Sequence, residues 1–167
     1  MRNTSAAIMT LALMATSLRA DDYLTKDGKL TQELKVVQLQ GGFAGFTGVQ
    51  YTIAPDGAWT SVSLFNKKTT PKDKGKLTAK ELEKLAEILS KYDLAKLPEK
   101  SGKQPGANPH TITFEYGKQK ASLVGQTAPK VDANNPAATV ESRFAGIYQG
   151  VVGLLKADAK KDGSPRQ

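Results

Sequence analysis

Between residues 36 and 65, apolar and polar side chains alternate in short runs, the pattern of half-buried β-strands. The runs cover residues 36–40, 49–53 and 58–65. Pro55-Asp56-Gly57 separates the last two and is a turn signal, because Asp-Gly suits positions that need positive φ. The sequence therefore predicts three strands, of which the second and third form a hairpin.

A helix is predicted after residue 77. Thr78 and Glu81 have the spacing of a capping box, in which each side chain pairs with the backbone amide of the other residue. An apolar stripe at helical spacing follows, formed by Leu82, Leu85, Ala86 and Leu89. Pro98 ends the segment that follows this helix, because proline cannot continue helical hydrogen bonding.

The second half of the chain predicts two further strands and a second helix. Alternation resumes at 111–116, and Gly117-Lys118 can form a two-residue turn before a return strand through Ala121 and Leu123. Asn135-Pro136 resembles an N-cap followed by a first-turn proline. One apolar helical face follows, formed by Val140, Phe144, Ile147, Tyr148, Val151, Leu154 and Leu155. Three glycines, Gly146, Gly150 and Gly153, weaken this helix but are spaced to permit close packing on a sheet.

These elements predict an α+β fold, with a single antiparallel sheet of about five strands, two helices and the order βββαββα. We expect one domain over residues 34–156. A loose polar lead-in at 21–33 precedes it, and a disordered tail at 157–167 follows it.

The first twenty residues are typical of a secretory signal peptide. A positive start precedes a short apolar run at 6–18, and the acidic pair Asp21-Asp22 follows Ala20. The run is too short to span a bilayer, so we expect cleavage after about Ala20 and export to the periplasm or the medium. The chain has no cysteine, which excludes a lipid anchor and disulfides, so the exported domain must depend on its own core.

The composition argues against several kinds of chemistry. A chain without cysteine and with a single histidine, His110, cannot build a thiolate zinc site or a multi-histidine metal centre. No Gly-x-Ser-x-Gly elbow presents a serine, and the glutamates at 81, 83 and 87 fall on the first helix rather than in a cleft. We expect no enzyme activity, no metal and no cofactor.

Basic residues exceed acidic ones, 24 against 16. Beyond residue 20 the arginines are only Arg143 and Arg166, which argues against nucleic-acid binding. The Lys67–Lys76 run breaks all periodicity and is predicted to be a solvated loop. Its charge also suits an anionic polymer, in binding that salt would weaken.

The most distinctive segment is glycine-rich and covers residues 41–48. It matches neither a dinucleotide fingerprint nor a P-loop, and a strand follows it rather than a helix. In one interpretation it is a flexible turn whose Phe43 and Phe46 fold back onto the core, as Trp59 is also expected to do. In the other, Gly42, Phe43, Gly45 and Phe46 form a partner-binding loop with an exposed aromatic anchor.

Several of these features resemble the emfourin family of bacterial metalloprotease inhibitors. They are the order Val37-Gln38-Leu39-Gln40-Gly41-Gly42-Phe43-Ala44-Gly45, the Asp56-Gly57 turn, and Leu77-Thr78, Glu81-Leu82, Leu85, Leu89, Asp93, Leu97-Pro98 and Ile112-Thr113-Phe114. The similarity covers roughly residues 34–124.

The resemblance implies an inhibitor of thermolysin-like zinc peptidases, so a zinc metallopeptidase is the expected partner. The alternative is a non-catalytic envelope protein that binds a peptide or an anionic polymer. Neither the residues nor the resemblance specifies the oligomeric state.

Overall fold

The computed structural model describes residues 19–103 and 106–161. Residues 1–18 of the predicted signal peptide, which covers 1–20, and the last part of the tail, 162–167, lie outside these residues. In the described part, no helix is long and apolar enough to cross a membrane.

The protein has an α+β fold in which two helices pack against one sheet. The strands are β1 (Leu34–Gly42), β2 (Gly45–Ile53), β3 (Ala58–Phe65), β4 (Lys68–Lys76), β5 (Lys100–Gly102), β6 (His110–Tyr116) and β7 (Gln119–Gly125). The helices are α1 (Ala79–Lys91) and α2 (Val140–Lys161). Short 3₁₀ turns lie at Ala20–Tyr23 and Leu94–Lys96.

The sheet differs from the prediction in size and direction. It has seven strands in the order β4-β3-β2-β1-β6-β7-β5, and β5 runs parallel to β7. The expected sheet of about five antiparallel strands is therefore wrong in number and in being purely antiparallel. β5 has only three residues, too few to produce a detectable alternation in sequence.

The lysine run is not a loop but the edge strand β4. It pairs with β3 in an antiparallel register that shifts between Thr60 and Val62. All its residues are exposed except the half-buried Gly75, so no face of the strand needs apolar side chains and the sequence shows no alternation. Lysine, Pro71 and the register shift are typical devices that protect a sheet edge from pairing with another strand.

The β2–β3 turn, the β6–β7 turn and the start of α1 follow the prediction. Gly57 takes a positive φ of 86° between β2 and β3, and its N–H donates to the carbonyl of Ala54 at 2.9 Å. Gly117, with φ of 58°, begins the two-residue turn between β6 and β7. Thr78 and Glu81 form the capping box of α1.

The core lies between the helices and one face of the sheet. Its members include the predicted stripe of α1 and most of the predicted face of α2, with Phe114 stacked on Phe144 at 5.4 Å between ring centroids. Trp59 is buried as expected, and its Nε1–H donates to Oδ2 of Asp158 at 2.7 Å.

Residues 21–33 are not loose, although the sequence lacks a clear period there. Tyr23 and Leu30 are both 1% exposed and belong to the core. The Leu30 N–H donates to the Pro55 carbonyl at 2.9 Å, and the Tyr116 hydroxyl donates to the Tyr23 carbonyl at 3.2 Å. The segment is a strap, and its two buried side chains are too far apart in sequence to form a pattern.

Both ends of α2 also differ from the prediction. The helix begins at Val140, where the Ser142 N–H donates to Oγ1 of Thr139 at 3.1 Å. Asn135 is not its N-cap. Its backbone carbonyl instead accepts from the Ala138 N–H in a turn that precedes the helix. At the other end the helix continues to Lys161, five residues into the expected disordered tail, because Asp158 is held by Trp59.

Two of the α2 glycines allow close packing, against α1 rather than against the sheet. A Cβ atom at Gly146 would overlap the ring of Tyr92, and one at Gly150 would come within 2.9 Å of Ile88. Arg143 adds donors to the end of α1, with Nε 2.9 Å from the Tyr92 carbonyl and Nη2 2.6 Å from the Asp93 carbonyl.

We expect Gly146→Ala to destabilise the protein by about 1–3 kcal/mol, because the added methyl overpacks the helix contact. Gly153 is the matched control, since a Cβ there meets nothing within 4 Å. Gly153→Ala should instead stabilise the protein by up to about 1 kcal/mol through helix propensity. Urea unfolding of the two variants measures both, and equal effects would contradict the close contact.

Leu30→Ala should lower the free energy of unfolding by about 2–5 kcal/mol, the usual cost of truncating a buried leucine. Its neighbour Lys29 is exposed, so Lys29→Ala is the control and should change stability by less than about 0.5 kcal/mol. A small effect of Leu30→Ala would mean that the strap is dispensable.

Candidate functional site

The glycine-rich segment forms a tight hairpin at one end of the sheet. Gly42 pairs with Gly45, so only Phe43 and Ala44 connect β1 to β2, and Gly45 has a positive φ of 104°. Phe43 at this tip is completely exposed. It does not fold back onto the core, because a two-residue connection leaves no chain with which to reach it.

Asn66, in the turn between β3 and β4, holds the hairpin in place. Its Oδ1 accepts from the Phe46 N–H at 2.9 Å, its Nδ2 donates to the Ala44 carbonyl at 3.3 Å, and its N–H donates to the Phe46 carbonyl at 2.7 Å. Asn66 itself has φ of 53°, a conformation that asparagine tolerates well. The hairpin is therefore braced from the neighbouring turn rather than flexible.

The glycines of the segment make room for these braces. A Cβ at Gly45 would overlap the Asn66 amide, and one at Gly41 would overlap the Pro109 ring. The Gly41 N–H donates to the Pro109 carbonyl at 2.7 Å on the other side of the hairpin. The repeated glycine thus reflects close approach on both sides of β1 and β2.

β1 is also supported from α2. The Tyr148 hydroxyl donates to Oε1 of Gln38 at 3.0 Å. Burial raises the pKa of Tyr148 to about 12, so this hydroxyl keeps its proton even at pH 10, where an ordinary tyrosine is half ionised. The strand that leads to the tip is fixed to the helical layer.

Three phenylalanines surround this end of the sheet. Among the described residues, the large hydrophobic side chains that are exposed are Phe43, Phe46, at 48%, and Phe65, at 50%. Thr47 pairs with Phe65, so these two share a face of the sheet and Phe46 projects from the opposite face. Phe43 extends beyond both, and the end of the sheet is apolar on either side. We call Phe43, Phe46 and Phe65 the aromatic tip.

Phe65 is exposed although it lies on the helix-facing side of the sheet. α2 crosses that side diagonally. It begins near Glu141, which lines a cleft together with His110. It ends near Asp158, which is hydrogen-bonded to Trp59 at the far end of β3. The corner of the sheet around Phe65 is left uncovered by this course.

A cleft of about 510 Å³ opens beside the hairpin end of the sheet. Its floor includes the buried Ile112 and Leu123, and its rim includes Lys103, His110 and Glu141. The sole histidine of the chain therefore lies near the tip, on β6, beside a carboxylate and a lysine. No group of three or more histidines or carboxylates in the described ranges could hold a metal ion.

The structure thus brings together the predicted residues Gly42, Phe43, Gly45 and Phe46 in one hairpin. Sequence reasoning missed Asn66 and Phe65. A signal for them existed, because Asn66-Lys67 follows an alternating strand and asparagine often begins a two-residue hairpin turn. The lysines that follow made this segment look like a loop.

A scan of protein-family models gives no match to this chain, and a search of curated proteins gives none either.

Asn66→Ala should release the hairpin, because it removes two side-chain hydrogen bonds and strains a positive-φ position. We expect a loss of about 1–2 kcal/mol in stability and faster amide hydrogen exchange at Phe46. Asn66→Gly is the control that keeps the backbone conformation, so its stability loss should be smaller while exchange at Phe46 still rises. Unchanged exchange at Phe46 in both variants would contradict the bracing role.

Proposed function

We propose that this protein is an exported, proteinaceous inhibitor of thermolysin-like zinc peptidases and that the glycine hairpin is its contact loop. The observation that carries the proposal is the aromatic tip, where the exposed large apolar side chains of the described chain gather around one braced turn. Isolated exposed phenylalanines are ordinary, whereas a cluster of them on a projecting turn is typical of a binding site.

The chemistry of the proposed partner fits this loop. Thermolysin-like enzymes accept a large apolar side chain next to the scissile bond, and the resemblance to emfourins implies that class of enzyme. Phe43, which makes no burying contact of its own, is the side chain proposed to fill that pocket. Aromatic anchors of this kind carry much of the binding energy at protein interfaces.

Bracing supports tight binding, because a loop that is already ordered loses little conformational entropy when it docks. The three hydrogen bonds of Asn66 fix Ala44 and Phe46 on one side of the turn. Pro109 fixes Gly41 on the other. A tight turn also differs from the extended backbone of a peptide substrate, so we propose that the inhibitor is not cleaved.

The test is a titration of the purified protein into thermolysin and related zinc peptidases, with cleavage of a short peptide as the readout. We expect stoichiometric loss of activity while the added protein remains intact. Phe43→Ala should weaken inhibition by about thirtyfold, which corresponds to about 2 kcal/mol for a central anchor.

Two variants serve as controls for that titration. Phe43→Leu keeps an apolar anchor and should remain within about threefold of the parent, and Lys118→Ala changes the exposed turn between β6 and β7 and should have no effect. No inhibition at micromolar excess of protein would overturn the proposal. Full inhibition by both Phe43→Ala and Phe46→Ala would show that the hairpin is not the contact loop.

A second candidate function is binding of an anionic polymer along β4. It is favoured by the exposed lysines of that strand, together with Pro71 and the register shift, which oppose backbone pairing and leave side-chain charge as the means of attraction. Retention on an anionic resin that moderate salt reverses would support this candidate, whereas inhibition of a peptidase that salt does not weaken would support the first.

A further inference from the structure

The aromatic tip is bordered by lysines. Lys67 and Lys68 follow Phe65 and Asn66 directly, and Lys68 pairs with Phe65 across the turn. Both are exposed, and neither makes an ion pair within the described ranges. Lys103 is also exposed and follows β5 directly. Gly102, the last residue of β5, pairs with Val124, which in turn pairs with Thr111 near the start of β6. Lys103 therefore lies at the same end of the sheet as the tip.

Charge at the other end of β4 is arranged differently. Lys76 is 3.0 Å from Asp56 in an ion pair, and hydrogen bonding to this lysine holds the pKa of the Asp56 carboxyl below its usual value. The lysines next to the phenylalanines thus leave their charge available, and the lysine next to Asp56 does not. Near the tip, the carboxylate in the adjoining cleft is Glu141, on α2.

We propose that the aromatic tip inserts into the interfacial layer of an anionic lipid bilayer, with Lys67 and Lys68 on the lipid phosphates. The inference does not rest on the proposed inhibition of a peptidase. Two contributions produce reversible binding at a membrane surface. Apolar side chains penetrate the boundary between headgroups and acyl chains, and lysines attract anionic lipid.

A bilayer can surround all three rings of the tip, whereas the peptidase pocket proposed above takes Phe43 alone. Phe46 and Phe65 project from opposite faces of the sheet, and Phe43 extends beyond its end. A partner that covers one face would leave one of these rings in water, whereas a fluid apolar layer surrounds all three. The bracing by Asn66 keeps the rings exposed instead of letting the turn collapse on the sheet.

The experiment is co-sedimentation of the protein with vesicles, in the absence of any peptidase. The protein is purified from the producing cells, and its N-terminus is determined. One set of vesicles contains phosphatidylcholine only, and the other contains about one third phosphatidylglycerol. We expect binding to the anionic vesicles, at least about tenfold weaker binding to the neutral ones, and weakening by salt.

Variants separate the apolar contribution from the charge contribution. Phe43→Ala should weaken binding to anionic vesicles by about tenfold, and the double variant Lys67→Gln, Lys68→Gln by about as much. The control, Lys80→Gln, Lys84→Gln, removes the same charge from α1 and should stay within about threefold of the parent. Phe43→Trp should keep binding and shift its fluorescence emission to shorter wavelength when vesicles are added.

Three results would overturn the inference. The first is no sedimentation with anionic vesicles at low salt. The second is binding that survives both Phe43→Ala and Phe46→Ala, which would mean that the lysines alone bind the anionic surface and the rings do not insert. The third is equal weakening by the two lysine pairs, which would assign the effect to net charge. Inhibition of thermolysin is measured separately, so either proposal can fail alone.

Discussion

The contact between α1 and α2 is the constraint on which the rest of the fold depends. Two helices can cover one face of this sheet only if they approach closely, and they meet where α2 has glycine instead of a side chain, at Gly146 and Gly150. Arg143 then uses its guanidinium to satisfy carbonyl groups at the end of α1. The intrinsic helix propensity that α2 loses at these glycines is offset by a shared core.

The course of α2 also decides what stays uncovered. One helix that runs diagonally from the cleft near His110 to Trp59 shields the middle of the sheet and the far end of β3. The corner at Phe65 receives no helix, and the hairpin at Phe43 extends past the helical layer. The aromatic tip is thus a consequence of how the helices divide the sheet, in addition to the local sequence of the glycine segment.

Much of the central fold could be predicted from the sequence, because burial on one face leaves a period. This holds for β2, β3, β6 and α1, and for the Asp56-Gly57 turn that joins two of those strands. Elements without such a constraint were missed. β4 is exposed on both faces, β5 is three residues long, and the strap is held by two isolated side chains, Tyr23 and Leu30. At the candidate site the glycines and phenylalanines stood out, whereas Asn66 acts across the sheet on residues twenty positions away, which no local pattern reveals.

Trp59 has a practical consequence for studying the molecule. It is the one tryptophan of the chain, it is buried, and it is hydrogen-bonded to α2 at the end of the sheet opposite the aromatic tip. Its intrinsic fluorescence therefore reports whether the last turns of α2 are docked, and it is insulated from events at the hairpin. We expect a ligand at the tip to leave this signal unchanged and a variant that loosens the helical layer to alter it, so the emission of Trp59 distinguishes binding at the tip from loss of helix packing.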